Sequence, residues 1–248
     1  IQIVTTLLAV FLAVSPKILI PAPAEIVSVQ GTCDLPEKLS YNIVCKADTA
    51  GLASLERYVG ASGLASWSPT RGDINIVLGD RKLAKRFSTE KDFVRESAYC
   101  LEITSKSIEI KAITPKGAFY AIQSLRQMLY RGRELETCVV TDWPVMRYRG
   151  LMLDISRNFR DKEFIEKQID AMALLKMDKL HLHLTDDAGW RIQIDSKPRL
   201  TDVAAWRVGE TWSQWVDFGK QYSQKDSPRA SGGYLTKDDV REIVAYAA

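Results

Sequence analysis

Apolar positions along the chain change period several times, and each period predicts an element. INIVL (74–78) is a short, largely apolar run with the length of a buried strand. YCLEI (99–103) and IEIKAI (108–113) alternate, with Tyr99, Leu101 and Ile103, then Ile108, Ile110 and Ala112, on one face. Ser105-Lys106-Ser107 lies between them and predicts a hairpin. From Gly117 the spacing turns helical through Ala118, Ile122, Leu125 and Leu129, with Arg131-Gly132 as the stop. This first stretch, residues 18–143, reads as an α+β domain with no constellation of catalytic residue types. After Trp143-Pro144 the order is strand (LMLDIS, 151–156), helix (161–177) and strand (KLHLHLT, 179–185). Asp161 caps that helix, and Ile165, Ile169 and Met172 share one side of it. A long loop follows. Thr236 then opens a last helix with Val240, Ile243, Val244 and Ala247 on one stripe, and Asp239 completes a capping box.

Strand, helix, strand, loop, helix implies a parallel sheet with crossover helices. A doubly wound sheet needs a glycine-rich turn after its first strand, but that turn here reads Ser156-Arg-Asn-Phe-Arg160. The fold class expected is therefore α/β: an N-terminal α+β domain followed by the first part of a (β/α)8 TIM barrel over residues 144–248. A whole barrel takes roughly 250 residues, so about a quarter of one is expected, and the sequence reads as a fragment.

Composition changes this picture little. Hydrophobic residues are 46% and charged residues 26%, with a net charge of +3 from 34 basic and 31 acidic side chains. That is a globular chain without the basic concentration of a nucleic-acid footprint. The densest basic stretch, Asp80–Arg86, is read as a solvated helix face around Leu83 and Ala84. Residues 1–14 are uncharged, too short to span a bilayer, and resemble the apolar centre of a secretory signal. Residues 1–17 are thus expected to be signal-like and the protein exported, periplasmic or secreted, with no membrane insertion of the mature form. Export would permit disulfides among Cys33, Cys45, Cys100 and Cys138, for which three full pairings exist; unpaired thiols are the alternative.

Chemistry concentrates in HLHLTDDAGWRIQI (181–194), which holds both histidines. In a strand His181 and His183 share a face, with Cα atoms about 6.6 Å apart. Such a pair can begin a zinc site, and a metal-dependent barrel hydrolase is one reading. A catalytic zinc site wants three protein ligands, however, and only Asp186 or Asp187 stands near. Core histidines satisfied by hydrogen bonds are the bland alternative. Asp186 and Arg157 fall at the C-terminal ends of neighbouring strands, where barrel active sites are built. A carboxylate and a guanidinium fork suit a neutral, hydroxyl-rich ligand, and equally suit an ion pair that ties two loops.

The stretch YRGLMLDISRNFRDKEFIEKQIDAMALLKMDKLHLHLTDDAGWRIQI (148–194), with LTDVAAWR (200–207) and GGYLTKDDVREIVAYAA (232–248), resembles the start of the catalytic barrel of family 20 glycoside hydrolases, the β-N-acetylhexosaminidases. The segments ILIPAPAEI (18–26) and KGAFYAIQSLRQML (116–129) are similar to the α+β domain that precedes that barrel. The resemblance implies no cofactor and no metal. It implies an exo-acting enzyme that removes terminal N-acetylglucosamine or N-acetylgalactosamine from glycans. Configuration is retained because the substrate's own acetamido oxygen attacks the anomeric carbon. By the same resemblance Arg157 grips hydroxyls of the terminal sugar. Asp186 aligns a downstream histidine and, through it, the acid/base glutamate, while His183 supports the pocket floor. The acetamido-orienting Asp and the acid/base Glu are implied on a later strand, so these 248 residues alone are expected to be inactive. Asn158 and Leu182 stand where the family often has histidine and tryptophan. Trp206, Trp212 and Trp215 are expected to pack or to line the rim, the alternative being a part in the aromatic wall that encloses the acetamido methyl. A glycan-binding protein that has lost its acids is the remaining alternative.

Overall fold

Alternation of apolar and polar residues builds the sheet of the first unit. The computed structural model describes residues 13–45 and 51–248, so the apolar run from Ile1 lies outside the described residues up to position 12. Two units divide the chain, Ile1–Arg147 and Tyr148–Ala248. In the first, Val14 forms a bridge to Leu135 and a 3-10 turn follows at Pro16–Ile18. The elements are β1 (Glu25–Asp34), β2 (Ser40–Cys45), α1 (Leu52–Ala61), β3 (Ser66–Trp67), β4 (Ile74–Leu78), α2 (Arg81–Arg86), α3 (Asp92–Ser97), β5 (Tyr99–Ile103), β6 (Ile108–Ala112), α4 (Pro115–Leu129) and β7 (Glu134–Asp142). The strands form one mixed sheet, β1-β7-β5-β6-β4-β2-β3. The pairs from β1 to β6 are antiparallel and those from β6 to β3 parallel.

The expected hairpin is β5–β6, in which Leu101 faces Ile110 and Ile103 faces Ile108. Tyr99, Leu101 and Ile103 are buried together with Ala118, Ala121, Ile122 and Leu125 of α4. Pro115 at the first turn and the Thr114 hydroxyl, which accepts from the Gly117 N–H, start that helix. Position 117 must be glycine, because a Cβ there would stand 2.5 Å from the Ala98 carbonyl oxygen. Cys100 and Trp143 belong to a smaller cluster with Leu83, Phe87 and Val94 of α2 and α3 and the loops beside them. The basic stretch expected to be a solvated helix is α2, with Leu83 buried. Among the described residues no disulfide joins the four cysteines.

The second unit contains β8 (Gly150–Asp154), α5 (Lys162–Leu174), β9 (Lys179–His183), β10 (Thr185–Asp186), β11 (Gly189–Trp190), α6 (Arg199–Asp202), β12 (Trp206–Val208), α7 (Trp212–Asp217), β13 (Ala230–Gly232) and α8 (Lys237–Ala247). β8 and β9 are parallel and joined through α5, the strand-helix-strand unit with which a TIM barrel starts. Leu153, Leu180 and Leu182 pack with Ile165, Ile169, Val240 and Ile243 of α5 and α8. The other face of the strand pair carries Met152 opposite His181 and Asp154 opposite His183. Met152 is 55% exposed, since nothing among the described residues covers that face.

Several boundaries differ from expectation: β9 ends at His183 rather than Thr185, because Thr185 turns to pair with Trp190, and α5 ends at Leu174 rather than Met177. β8 ends at Asp154 rather than at Ser156, because the Asp154 carboxylate draws the next residues into a turn. The long loop is built of short helices and two antiparallel strand pairs, which the sequence pattern is too brief to reveal. The expected capping box is present at α8: the Thr236 hydroxyl accepts from the Asp239 N–H at 3.0 Å, and the Asp239 carboxylate accepts from the Thr236 N–H at 2.8 Å. Thr236→Ala removes the hydroxyl and should cost about 1 kcal/mol. Thermal unfolding of the second unit should show this as a fall of a few degrees in Tm.

Candidate active site

The site begins with a carboxylate that shapes its own turn. One oxygen of Asp154, the last residue of β8, accepts from the backbone N–H groups of Ser156 and Arg157 at 3.0 and 3.1 Å. Its other oxygen accepts from the Arg157 guanidinium at 2.9 Å. That guanidinium reaches Asp186 at 2.7 Å through its second terminal nitrogen. Arg157 therefore bridges two carboxylates from adjacent strand ends. Asp186 does not simply end the strand; it sits on the β10–β11 hairpin, two residues beyond Leu184.

His183 completes the cluster. Its Nε2 lies 3.1 Å from Asp186 and 3.4 Å from the Arg157 guanidinium. A carboxylate only accepts and a guanidinium only donates, so a proton on Nε2 serves Asp186. His181 lies one step back along the same face, paired with exposed Met152, and makes no hydrogen bond or ion pair to this group. The two histidines share a face, yet only one joins the cluster. Asp186 and Asp187 diverge, since Asp186 closes β10 and Asp187 lies in the turn to β11. The Asp187 carboxylate looks toward Lys220 at 3.8 Å, and its carbonyl accepts from the Tyr222 hydroxyl. Among the described residues no cluster of three or more His, Cys, Asp or Glu side chains is arranged for a metal. The cation between Asp154 and Asp186 is Arg157.

Electrostatics keep both carboxylates and the guanidinium ionised. The backbone N–H of Asp187 at 2.7 Å, followed by the charge of Arg157, lowers the Asp186 pKa against desolvation. For Asp154, burial works upward, but the backbone and guanidinium hydrogen bonds from Arg157 prevail and its pKa falls. The Arg157 pKa rises, first through its hydrogen bond to Asp154. Two carboxylates and one guanidinium leave about one net negative charge at the strand ends. The Arg157 side chain remains 39% exposed. It opens, with Asp154, Asn158, Glu210, Thr211 and Trp212, onto a cavity of about 540 Å³.

Two buried arginines hold this rim, and sequence reasoning passed over both. Arg191 donates to the carbonyls of Ile155, Ser156, Ala188, Ala205 and Gly233. Arg207 donates to the carbonyls of Arg157 at 2.6 Å and Glu210 at 3.0 Å. The available signal was an arginine inside an apolar run, in GWRIQI and AAWRV. Asp154 was also missed, although it stands three residues before Arg157. Of the three loop tryptophans, Trp215 is buried, Trp206 donates its indole N–H to the Thr201 carbonyl, and Trp212 lines the cavity.

Comparison with known proteins agrees with the resemblance on both units. The model of glycosyl hydrolase family 20, domain 2, matches residues 17–143, and that of the family 20 catalytic domain matches residues 146–248. A β-hexosaminidase of Vibrio vulnificus is 37% identical over 155 residues, 62% of this chain and 18% of that protein. An N,N'-diacetylchitobiase of Vibrio harveyi is 39% identical over 158 residues, 63% of this chain and again 18% of that protein. The chain thus spans about a fifth of the length of these curated relatives. Among solved structures, a Vibrio harveyi exo-β-N-acetylglucosaminidase in complex with N-acetylglucosamine matches with a TM-score of 0.71 at 27% identity, over 95% of this chain and 35% of that one. A Streptomyces plicatus β-hexosaminidase mutant in complex with product matches at 0.69 and 26%, over 94% and 44%. With family models aligned along both units, the chain belongs to glycosyl hydrolase family 20.

Proposed function

We propose that the full-length protein is an exo-acting β-N-acetylhexosaminidase that releases terminal β-linked N-acetylglucosamine or N-acetylgalactosamine from glycans with retention of configuration. The observation that carries the reading is Arg157, held between Asp154 and Asp186 and open to a cavity of sugar-binding size. One terminal nitrogen of Arg157 donates to Asp154 and the other is ion-paired with Asp186, and the remaining N–H groups are available to ligand hydroxyls. Because both carboxylates fix the fork, little side-chain entropy is lost when a sugar binds. Asp186, with His183 against it at 3.1 Å, is read on the family resemblance as the carboxylate that aligns the acid/base relay. Export belongs to the same proposal and rests on the uncharged run at residues 1–14 alone. The cysteines lend it no support.

Chromogenic β-N-acetylglucosaminide and β-N-acetylgalactosaminide, given to the full-length protein, test the reading. Turnover of at least one is expected, and binding without turnover would favour a glycan-binding protein instead. Asp186→Asn sharpens the test. If Asp186 aligns the relay, kcat falls more than KM rises and the pH profile moves. An unchanged profile with weaker binding alone would make Asp186 a direct sugar ligand.

A further inference from the structure

Asp154 and Asp186 both meet the Arg157 guanidinium, but they hold it in different ways. Asp154 grips the same residue at two points. Its Oδ1 accepts from the backbone N–H of Arg157 at 3.1 Å and from that of Ser156 at 3.0 Å, while its Oδ2 accepts from the guanidinium Nη1 at 2.9 Å. Carboxylate, main chain and side chain thus close a ring within the turn Asp154–Arg157. Asp186 comes from a separate hairpin and meets Nη2 as an ion pair at 2.7 Å. The oxygen that does so also lies 3.1 Å from His183 Nε2, and the other Asp186 oxygen accepts from the Asp187 N–H. Asp186 divides itself among Arg157, His183 and its own turn, whereas Asp154 turns one oxygen to the fork.

The turn beneath the fork is already fixed. The buried Ser156 hydroxyl donates to the Gly189 carbonyl at 2.8 Å, and the Ser156 N–H also reaches the His183 carbonyl at 3.2 Å. The Arg157 carbonyl is held by Arg207 at 2.6 Å. With the backbone set, what remains to be decided is the direction of a long side chain with many rotamers. A charge-assisted hydrogen bond from within the same turn decides it.

From this geometry, and resting on the glycosidase reading above, we infer that Asp154 is a positioning residue that acts through Arg157. It aims the guanidinium at the hydroxyls of the terminal sugar and leaves Asp186 to the acid/base relay. Without the Asp154 carboxylate the guanidinium turns onto Asp186, and donors meant for the sugar are spent on that pair.

Asp154→Asn separates the two tasks of the carboxylate. The amide oxygen can still accept from the N–H groups of Ser156 and Arg157, so the turn survives. The amide NH2 then faces the guanidinium, donor against donor. In the full-length protein kcat/KM for an aryl β-N-acetylglucosaminide should fall on the order of tenfold. The loss should lie mostly in KM, because the terminal ring is held in ground and transition states alike. Tm should stay within about 3 °C of the native value. Arg157→Met supplies the decisive background. There the asparagine substitution should change kcat/KM by less than about twofold, since the group through which Asp154 acts is gone. Losses that multiply in the double variant, or a native KM in Asp154→Asn, would overturn the assignment. If the unaltered protein hydrolyses nothing, the glycosidase reading fails by itself, and titration of the same four proteins with N-acetylglucosamine decides the role of Asp154. Weaker binding in Asp154→Asn that disappears in the methionine background supports it. Independent effects, or no binding by the unaltered protein, refute it.

Discussion

Arg157→Lys is expected to lower kcat/KM of the full-length protein for an aryl β-N-acetylglucosaminide by at least about tenfold, with the fold intact. The substitution keeps the charge and removes the planar fork. In the native cluster one nitrogen meets Asp154 at 2.9 Å and another meets Asp186 at 2.7 Å. A lysine ammonium is a single point and cannot hold both carboxylates while also presenting donors to a ligand in fixed directions. Hydrogen bonds to charged groups contribute about 1.5–3 kcal/mol each, and about 1.4 kcal/mol is a factor of ten. Loss of one sugar contact therefore suffices for the expected fall. The backbone turn survives, because its hydrogen bonds run from main-chain N–H groups to Asp154 and do not involve the guanidinium. Steady-state kinetics beside circular dichroism measure the two effects separately. A lysine variant with full activity and native dichroism would show that Arg157 only ties Asp154 to Asp186.

The elements with sustained periodicity were legible in the sequence. β5, β6, α4, α5 and α8 repeat their apolar spacing often enough to declare themselves, and Asp161 and Thr236 mark their own helix starts. The loop between β11 and α8 was not legible, since its strands are two or three residues long and are fixed by tertiary hydrogen bonds. In the site, position along the chain was enough to bring Arg157 and Asp186 together. Period two placed His181 and His183 on one face, but it could not say which of them reaches Asp186. That follows from the parallel register, which sets His183 beside Asp154 at the strand end and His181 a step further in. The buried arginines were hidden for another reason. Composition rules treat arginine as surface, and only the three-dimensional convergence of carbonyl groups makes its burial tolerable.

That convergence predicts the largest stability effect in the second unit. Arg191 is 1% exposed and makes no ion pair among the described residues; burial, with Arg207 nearby, lowers its pKa to about 10, so it still carries its proton at neutral pH. Its charge is offset by backbone carbonyls from four separate places: the turn after β8, the β10–β11 hairpin, the approach to β12 and the entrance to α8. The guanidinium lies so close to the hairpin that a Cβ at position 189 would stand 2.2 Å from its central carbon, which is why glycine occupies that place. Arg191→Met keeps an unbranched stem out to the position of Nε and removes every donor. The Ala205 carbonyl retains the Gly233 N–H, but oxygens of the turn after β8 lose their donors while still buried. Unmet buried groups cost about 1–3 kcal/mol each, and a loss of about 3–5 kcal/mol is expected. Against typical stabilities of about 5–15 kcal/mol, that brings the second unit close to unfolding. Four of the six tryptophans, Trp190, Trp206, Trp212 and Trp215, lie in this unit, so denaturant unfolding followed by fluorescence reports on it. Arg191→Lys, which keeps the charge but focuses its donors on one atom, should fall between the two. A methionine variant that unfolds within about 0.5 kcal/mol of the native protein would mean that water or main-chain rearrangement satisfies those carbonyls, and that the rim around Arg157 and Asp186 does not depend on Arg191.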